Sequence, residues 1–268
     1  MKSLYPAWRN KPNVVIGMLH LPALLGSPRS GKSMRQIRDS LLRDVENLVK
    51  GGVHGLMMEN FGDVPFYPAR VPAYVVAQMA ALACKVHEET ELPLGINVLR
   101  NDGCSALAIA HSSGASFIRV NVLCGARVTD QGLIQGIAHD LLRERAILGA
   151  GKIKIFADVD VKHSVPLAER PLEDEVDDLI ERALADAIVV SGAGTGKATD
   201  STKVELVKRA AGQTPVFVGS GITPSTIDQF LDCADGFIVG TALKKGGLAS
   251  NPVELTRVKE LMKEIGKR

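Results

Sequence analysis

Aromatic residues fill only 4% of the 268 positions, and 32 Lys plus Arg against 30 Asp plus Glu leave a net charge of +2. With neither a strongly basic surface nor many stacking rings, nucleic acid is not an expected partner. Cysteine is equally scarce. Cys84, Cys104, Cys124 and Cys233 stand singly without a C-x-x-C pair, which argues against a zinc ribbon or a disulfide framework and fits a reducing, cytoplasmic setting. No apolar run approaches the roughly 20 residues that span a bilayer, and the opening MKSLYPAWRNKP lacks the apolar core of a signal peptide. A transmembrane segment is not expected, while peripheral membrane association and homo-oligomer formation stay open.

What the chain does have is 46% hydrophobic residues arranged in short β-rich runs. These are VVIGML from Val14, VHGLMME from Val53, LPLGINVL from Leu92, FIRVNVL from Phe117, KIKIFADVDV from Lys152, DAIVV from Asp186, PVFVG from Pro215 and GFIVG from Gly236. A helical pattern follows each run. In the first, Ser33 is a cap, Ile37, Leu41, Val45 and Leu48 make one stripe, and Gly51-Gly52 is a stop. Similar stripes cover 74–87, 133–148, 176–184 and 253–265. Eight strand-helix units without a linker predict one α/β domain over residues 1–268, a (β/α)8 TIM barrel. A doubly wound open sheet is the rival architecture.

A barrel puts its site at the carboxyl ends of the strands. On the fifth run Ile155, Ala157, Val159 and Val161 share one face, which leaves Asp158, Asp160 and Lys162 stacked on the other and pointing inward. Paired carboxylates and an ammonium there suit proton transfer beside a carbonyl, with a buried ion-pair plug as the structural alternative. His20 and Glu59 end the first two runs and form a second acid-base pair. Asn97, Arg100, Arg119, Asn121, His163 and Ser191 are candidates for holding substrate. A divalent metal on some of His20, Glu59, Asp158 and His163 is chemically conceivable, although no spacing motif supports it. The loop Asn60 to Pro72, rich in proline and aromatics, is either a semi-rigid lid or a stiff connection.

The last runs carry glycine turns. VGSGITPST offers Gly219, Ser220 and Gly221, with Thr223-Pro224 expected to open a helix, and VGTALKKG offers Gly240 and Thr241. Together with Gly192 and Gly194 after the sixth run, these suit a phosphate grip. A competing nucleotide motif is GSPRSGKS from Gly26 to Ser33, which matches the P-loop pattern and would imply a nucleoside triphosphatase. Pro28, however, removes an amide where phosphate would be cradled.

The segments IGMLHLPALLGSP from Ile16, GLMMENFGDVPF from Gly55, LGINVLRND from Leu94, FIRVNVLCGA from Phe117, IFADVDVKHS from Ile155, VVSGAGTGKATD from Val189 and VFVGSGITPSTI from Val216 together resemble the BtpA family, which includes the SgcQ proteins of sugar operons. The resemblance implies a branch of the ribulose-phosphate-binding barrels. It also implies two quite different roles, since the family is named for a cyanobacterial member needed for photosystem I biogenesis yet has relatives in organisms without photosynthesis. Asp160-x-Lys162 looks like the Asp-x-Lys pair of the orotidine-phosphate decarboxylase group, without that group's following acidic partner. The expected function is an isomerase- or lyase-type enzyme acting on a phosphorylated small-molecule ligand, a sugar phosphate, with Lys162 available for a Schiff base. Non-enzymatic photosystem I assembly is the alternative.

Overall fold

The computed structural model describes residues 4–192 and 199–267. All eight β-rich runs form strands: β1 (Val14–His20), β2 (Gly55–Glu59), β3 (Leu94–Asn97), β4 (Phe117–Val120), β7 (Lys154–Val159), β9 (Ala187–Val190), β10 (Val216–Val218) and β11 (Gly236–Val239). They pair in parallel in that order, and β11 pairs back onto β1 through Val14↔Gly236 to Gly17↔Val239. The sheet is a closed eight-stranded barrel. Closure leaves no open edge in this sheet, which excludes the doubly wound alternative.

Helices α1 (Met34–Gly51), α2 (Ala73–Glu89), α3 (Gly103–Ser113), α4 (Ala138–Ile147), α5 (Leu172–Asp177), α6 (Ser201–Ala210) and α7 (Leu255–Ile265) lie between the strands and after the last one. In α1 Ser33 accepts from the Gln36 amide in a capping box, Ile37, Leu41, Val45 and Leu48 are buried, and Gly52 ends the helix at φ +90°. No helix among the described residues is long and apolar enough to cross a membrane.

Two helical expectations fail. After β10 the chain makes turns and a single 3-10 turn, Ile227–Gln229, so Thr223-Pro224 opens no α-helix. Between β4 and α4 the residues from Leu133 do not begin a helix. They belong to a hairpin, β5 (Ala126–Thr129) and β6 (Gly132–Gln135), which β8 (Ser164–Pro166) extends to a three-stranded antiparallel sheet. The apolar spacing misleads because in β6 Leu133 is exposed and the adjacent Ile134 is buried, an alternation of period two, while Ile137 and Leu141 belong to α4 and its approach.

The strands bury two distinct layers. Residues such as Leu19, Leu56, Ile118, Ile155 and Val190 pack outward under the helices. Phe117, Phe156, Phe217, Val14, Ile16 and Met57 fill the lower interior, each contributing about 1.5–3 kcal/mol of burial. Trp8, on the 3-10 turn Pro6–Trp8, joins this cluster, with its ring centroid 6.1 to 6.4 Å from those of the three phenylalanines and its indole N–H donating to the His54 carbonyl at 2.7 Å. Gly95 admits the Phe117 ring, since a methyl group there would lie 2.2 Å from it.

Candidate functional site

One pleat step above the aromatic floor, the inward positions turn polar. His20 pairs in register with Glu59, Glu59 with Asn97, and Asn97 with Arg119, so four neighbouring strands present polar side chains at one level. Arg119 grips Asp158 on β7 with two hydrogen bonds, Nε at 2.7 Å and Nη2 at 2.9 Å, and Nη2 also donates to Ser191 Oγ at 3.2 Å. Asn121 Nδ2 adds a bond to Asp158 at 3.0 Å. Both charges are buried, so each depends on the other for compensation.

A cavity of about 300 Å³ opens beside this pair. His20, Glu59, Phe61, Arg119 and Lys162 line one side, and the turns 219–224 and 240–242 line the other. Burial raises the Glu59 carboxyl above the ordinary carboxylate range, while Lys162, Arg119 and Arg100 pull the other way. Burial lowers the Lys162 ammonium, helped by the Arg119 charge and opposed by Glu59 and Asp158. His20 is pushed down to about 3, first by burial and then by Lys244. Its imidazole is therefore neutral near pH 7. His20 Nδ1 lies 3.2 Å from the Ala249 carbonyl, which can only accept, so Nδ1 carries the proton and Nε2 turns its lone pair toward Glu59 Oε1, 4.0 Å away. The Phe61 ring stacks on the imidazole at 4.5 Å.

Ala249 is held from a distance. Asp44 on α1 bonds Lys244 Nζ through Oδ2 and the Val253 amide through Oδ1, both at 2.7 Å, which pins the two ends of the segment that presents the Ala249 carbonyl. Gly240 also serves the imidazole, because a methyl group there would stand 2.8 Å from the ring.

Among the described residues, no acceptor takes the backbone amides of Gly221, Ile222, Thr241 or Ala242, all of which line the cavity. Gly221 adopts φ +72°, a region that glycine enters without strain. Gly219 lies close to Ser191 and Arg119, and Ser220 Oγ accepts from the Gly192 amide at 2.7 Å, which ties the sixth and seventh barrel loops together. Gly194 lies outside the described residues.

Several expected placements are corrected. Asp158, Asp160 and Lys162 do not form a stack, because β7 ends at Val159 and Asp160 turns the chain at φ +48°. Asp160 pairs instead with Arg127 at 2.6 Å and with Lys203, which together outweigh its burial and hold its carboxyl low. Lys162 enters the cavity alone, with no carboxylate within 4.0 Å among the described residues. His163 is exposed and outside the cavity lining. Asn97 and Arg100 are buried behind the wall: Asn97 Nδ2 donates to the Arg119 carbonyl at 3.0 Å, and Arg100 donates to the Lys162 carbonyl. Asn121 faces a separate cavity of about 230 Å³ across the Arg119–Asp158 pair.

The four residues weighed as metal ligands are not gathered. Asp158 is committed to Arg119, and no group of three metal-binding side chains occurs among the described residues. Nor is Gly26 to Ser33 a P-loop. Its Ser27 and Ser30 amides donate to the Leu24 and Ser27 carbonyls, and Ser33 Oγ is spent on the helix cap. The loop Asn60 to Pro72 is a tied connection: the Gly62 amide donates to the Leu21 carbonyl, Val71 to Asp102 and Leu99 to Asn60.

Phe61 and Arg257 escaped the sequence reading. Arg257, on α7, bonds Glu254 at 3.0 Å and the Ala242 carbonyl at 3.3 Å and also lines the cavity. A Glu-Arg pair at i, i+3 has the pattern of an ordinary solvated helix face. Phe61 did carry a signal, since it directly follows the polar end of β2.

A model described as the BtpA family matches residues 11–267. The chain is 46% identical to an uncharacterized protein of Thermococcus kodakarensis, over 92% of this chain and 93% of that protein. It is 45% identical to the photosystem I biogenesis protein BtpA of Synechocystis, over 92% and 85%. Among solved structures, N-(5'-phosphoribosyl)anthranilate isomerase from Pyrococcus furiosus superposes with a TM-score of 0.58 at 12% identity, covering 96% of this chain and all of that one. The 7,8-dihydropteroate synthase of Vibrio fischeri also gives 0.58 at 12% identity, over 96% and 94%.

Proposed function

The chain belongs to the BtpA family, and from that premise we propose that it is an enzyme that isomerises a small sugar phosphate by proton transfer. The observation that carries this reading is a cavity in which acid-base groups face backbone amides that have no acceptor among the described residues. The amides of Gly221, Ile222, Thr241 and Ala242, with the Ser220 hydroxyl, suit a phosphate group. The superposition on a phosphoribosyl-substrate isomerase is in keeping with this, although at 12% identity it bears on fold alone.

Glu59, poised upward by burial, takes the proton from a carbon next to the carbonyl and returns it to the neighbouring carbon. His20 Nε2 passes the hydroxyl proton between the two oxygens, and the Lys162 ammonium stabilises the enolate that forms between the steps. A screen of pentose and hexose phosphates by thermal shift should raise Tm for the substrate class. Glu59→Gln should keep that shift and lose about 10²–10⁴ in turnover. No shift with any phosphorylated sugar would overturn the reading. Borohydride trapping on Lys162 would move the chemistry to aldol-type cleavage.

A second reading, a scaffold for complex assembly, rests on the outer face of the small sheet. Leu133, Val128 and Val165 lie in register across β6, β5 and β8, at 50%, 43% and 60% exposure. A cellular phenotype lost in Val165→Asp but kept in Glu59→Gln would favour it over catalysis.

A further inference from the structure

A third cavity, about 330 Å³, lies beside the loops that follow β1 and β2, and the proposed reaction makes no use of it. Most of its lining comes from two sequence motifs, Gly26 to Pro28 and the tied loop Asn60 to Pro72, and Tyr74 and Val75 of α2 and Leu99 complete it. Its walls are rings: Phe66, Tyr67 and Tyr74, with Pro28, Pro65 and Pro68. The Tyr74 ring lies over Gly26, where a methyl group would come within 2.5 Å of it.

The lining holds one charged group, Asp63, and no Lys, Arg or His. Asp63 Oδ1 accepts from the Leu24 amide at 2.7 Å and Oδ2 from Asn60 Nδ2 at 3.2 Å. Among the described residues no cationic nitrogen lies within 4.0 Å of it. Its half-buried carboxyl is raised by desolvation, the direction expected of a carboxylate that lacks a counter-charge. Ser27 Oγ, also in the lining, is buried without a hydrogen-bond partner among the described residues.

These features differ in kind from the phosphate-facing cavity, where Lys162, Arg119 and Arg257 gather positive charge. An anion finds nothing to pair with at Asp63. A cation with an apolar body would pair the carboxylate, offer an N–H to Ser27 and set its carbons against the rings. We propose that this outer cavity binds a small primary organic ammonium, an aryl- or alkylamine, with its charge at Asp63 and its apolar body against Phe66, Tyr67 and Tyr74.

Isothermal titration of the full chain with benzylamine, and with benzyl alcohol and phenyl phosphate at the same ionic strength, tests the assignment. Benzylamine should bind at least about tenfold more tightly than benzyl alcohol, and Asp63→Asn and Tyr74→Ala should each weaken it about tenfold. Tyr74 is nearly half exposed in the first turn of α2, so Tyr74→Ala remains informative if Asp63→Asn disturbs the loops that Asp63 ties. The proposal is overturned if the amine and the alcohol bind equally, if neither substitution changes amine affinity, or if phenyl phosphate competes with the amine.

Discussion

The floor and the mouth of the barrel are built from the same strands, one pleat step apart. Met18 gives way to His20, Met57 to Glu59, Phe117 to Arg119, Phe156 to Asp158 and Val189 to Ser191, while Phe217 and Ile238 give way to Gly219 and Gly240. Below, rings interlock, the Trp8 indole N–H is met by the His54 carbonyl, and the layer stabilises the fold chiefly through area and packing. Above, His20, Glu59 and Lys162 sit away from their ordinary proton affinities, beside the buried Arg119–Asp158 ion pair in which each partner compensates the other. The difference shows how a closed barrel can keep costly groups in place: the apolar layer supplies the stability that the polar layer lacks.

The largest effects should come from breaking each layer on the same strand. Phe156→Ala and Asp158→Asn are each expected to cost about 3–5 kcal/mol in urea unfolding, the first by opening a cavity and the second by leaving Arg119 buried without its counter-charge. The contrast lies in the repair. Arg119→Met combined with Asp158→Leu should recover most of the loss, and a cost under about 1 kcal/mol for Asp158→Asn alone would show that the mouth is wetter than its burial implies.

The next contrast is in pH. Unfolded His20 takes a proton below its ordinary 6.5, but the native imidazole declines it until about 3, so the wild type should lose about 1.4 kcal/mol per pH unit across that window relative to His20→Gln. Glu59 runs the other way. Its raised carboxyl favours the protonated form in the native state, so Glu59→Gln should match the wild type below pH 4.5 and become progressively more stable than it as pH rises. Parallel denaturation curves for wild type and either variant would remove that group from the perturbed set.

The smallest effects sharpen the boundary. Gly95→Ala meets the Phe117 ring and should cost about 1–3 kcal/mol without changing phosphate affinity. Gly240→Ala meets His20 and should instead shift the imidazole resonances in NMR titrations with little loss of stability. Interchanged outcomes would erase the distinction between the layers.

The eight strands were legible because each is a short apolar run between turn residues, and the register of the polar ends followed from alternation. Alternation failed where the chain left the sheet. Nothing local marks Asp160 as the residue that reverses at positive φ, so Lys162 reaches the mouth by a turn that strand alternation does not encode. The antiparallel extension was hidden because Leu133, Ile134, Ile137 and Leu141 happen to match helical spacing. The Asp44 strap and the Arg257 contribution rest on contacts between distant segments, which periodicity cannot encode.

The acceptor that sets the His20 tautomer is a main-chain oxygen, and every amino acid would present the same oxygen at position 249. Substitution at that position therefore cannot delete the feature. What can be tuned is where the carbonyl stands, and that adjustment belongs to Asp44, a carboxylate on helix α1 that bonds Lys244 and Val253 on either side of the turn rather than the imidazole it governs.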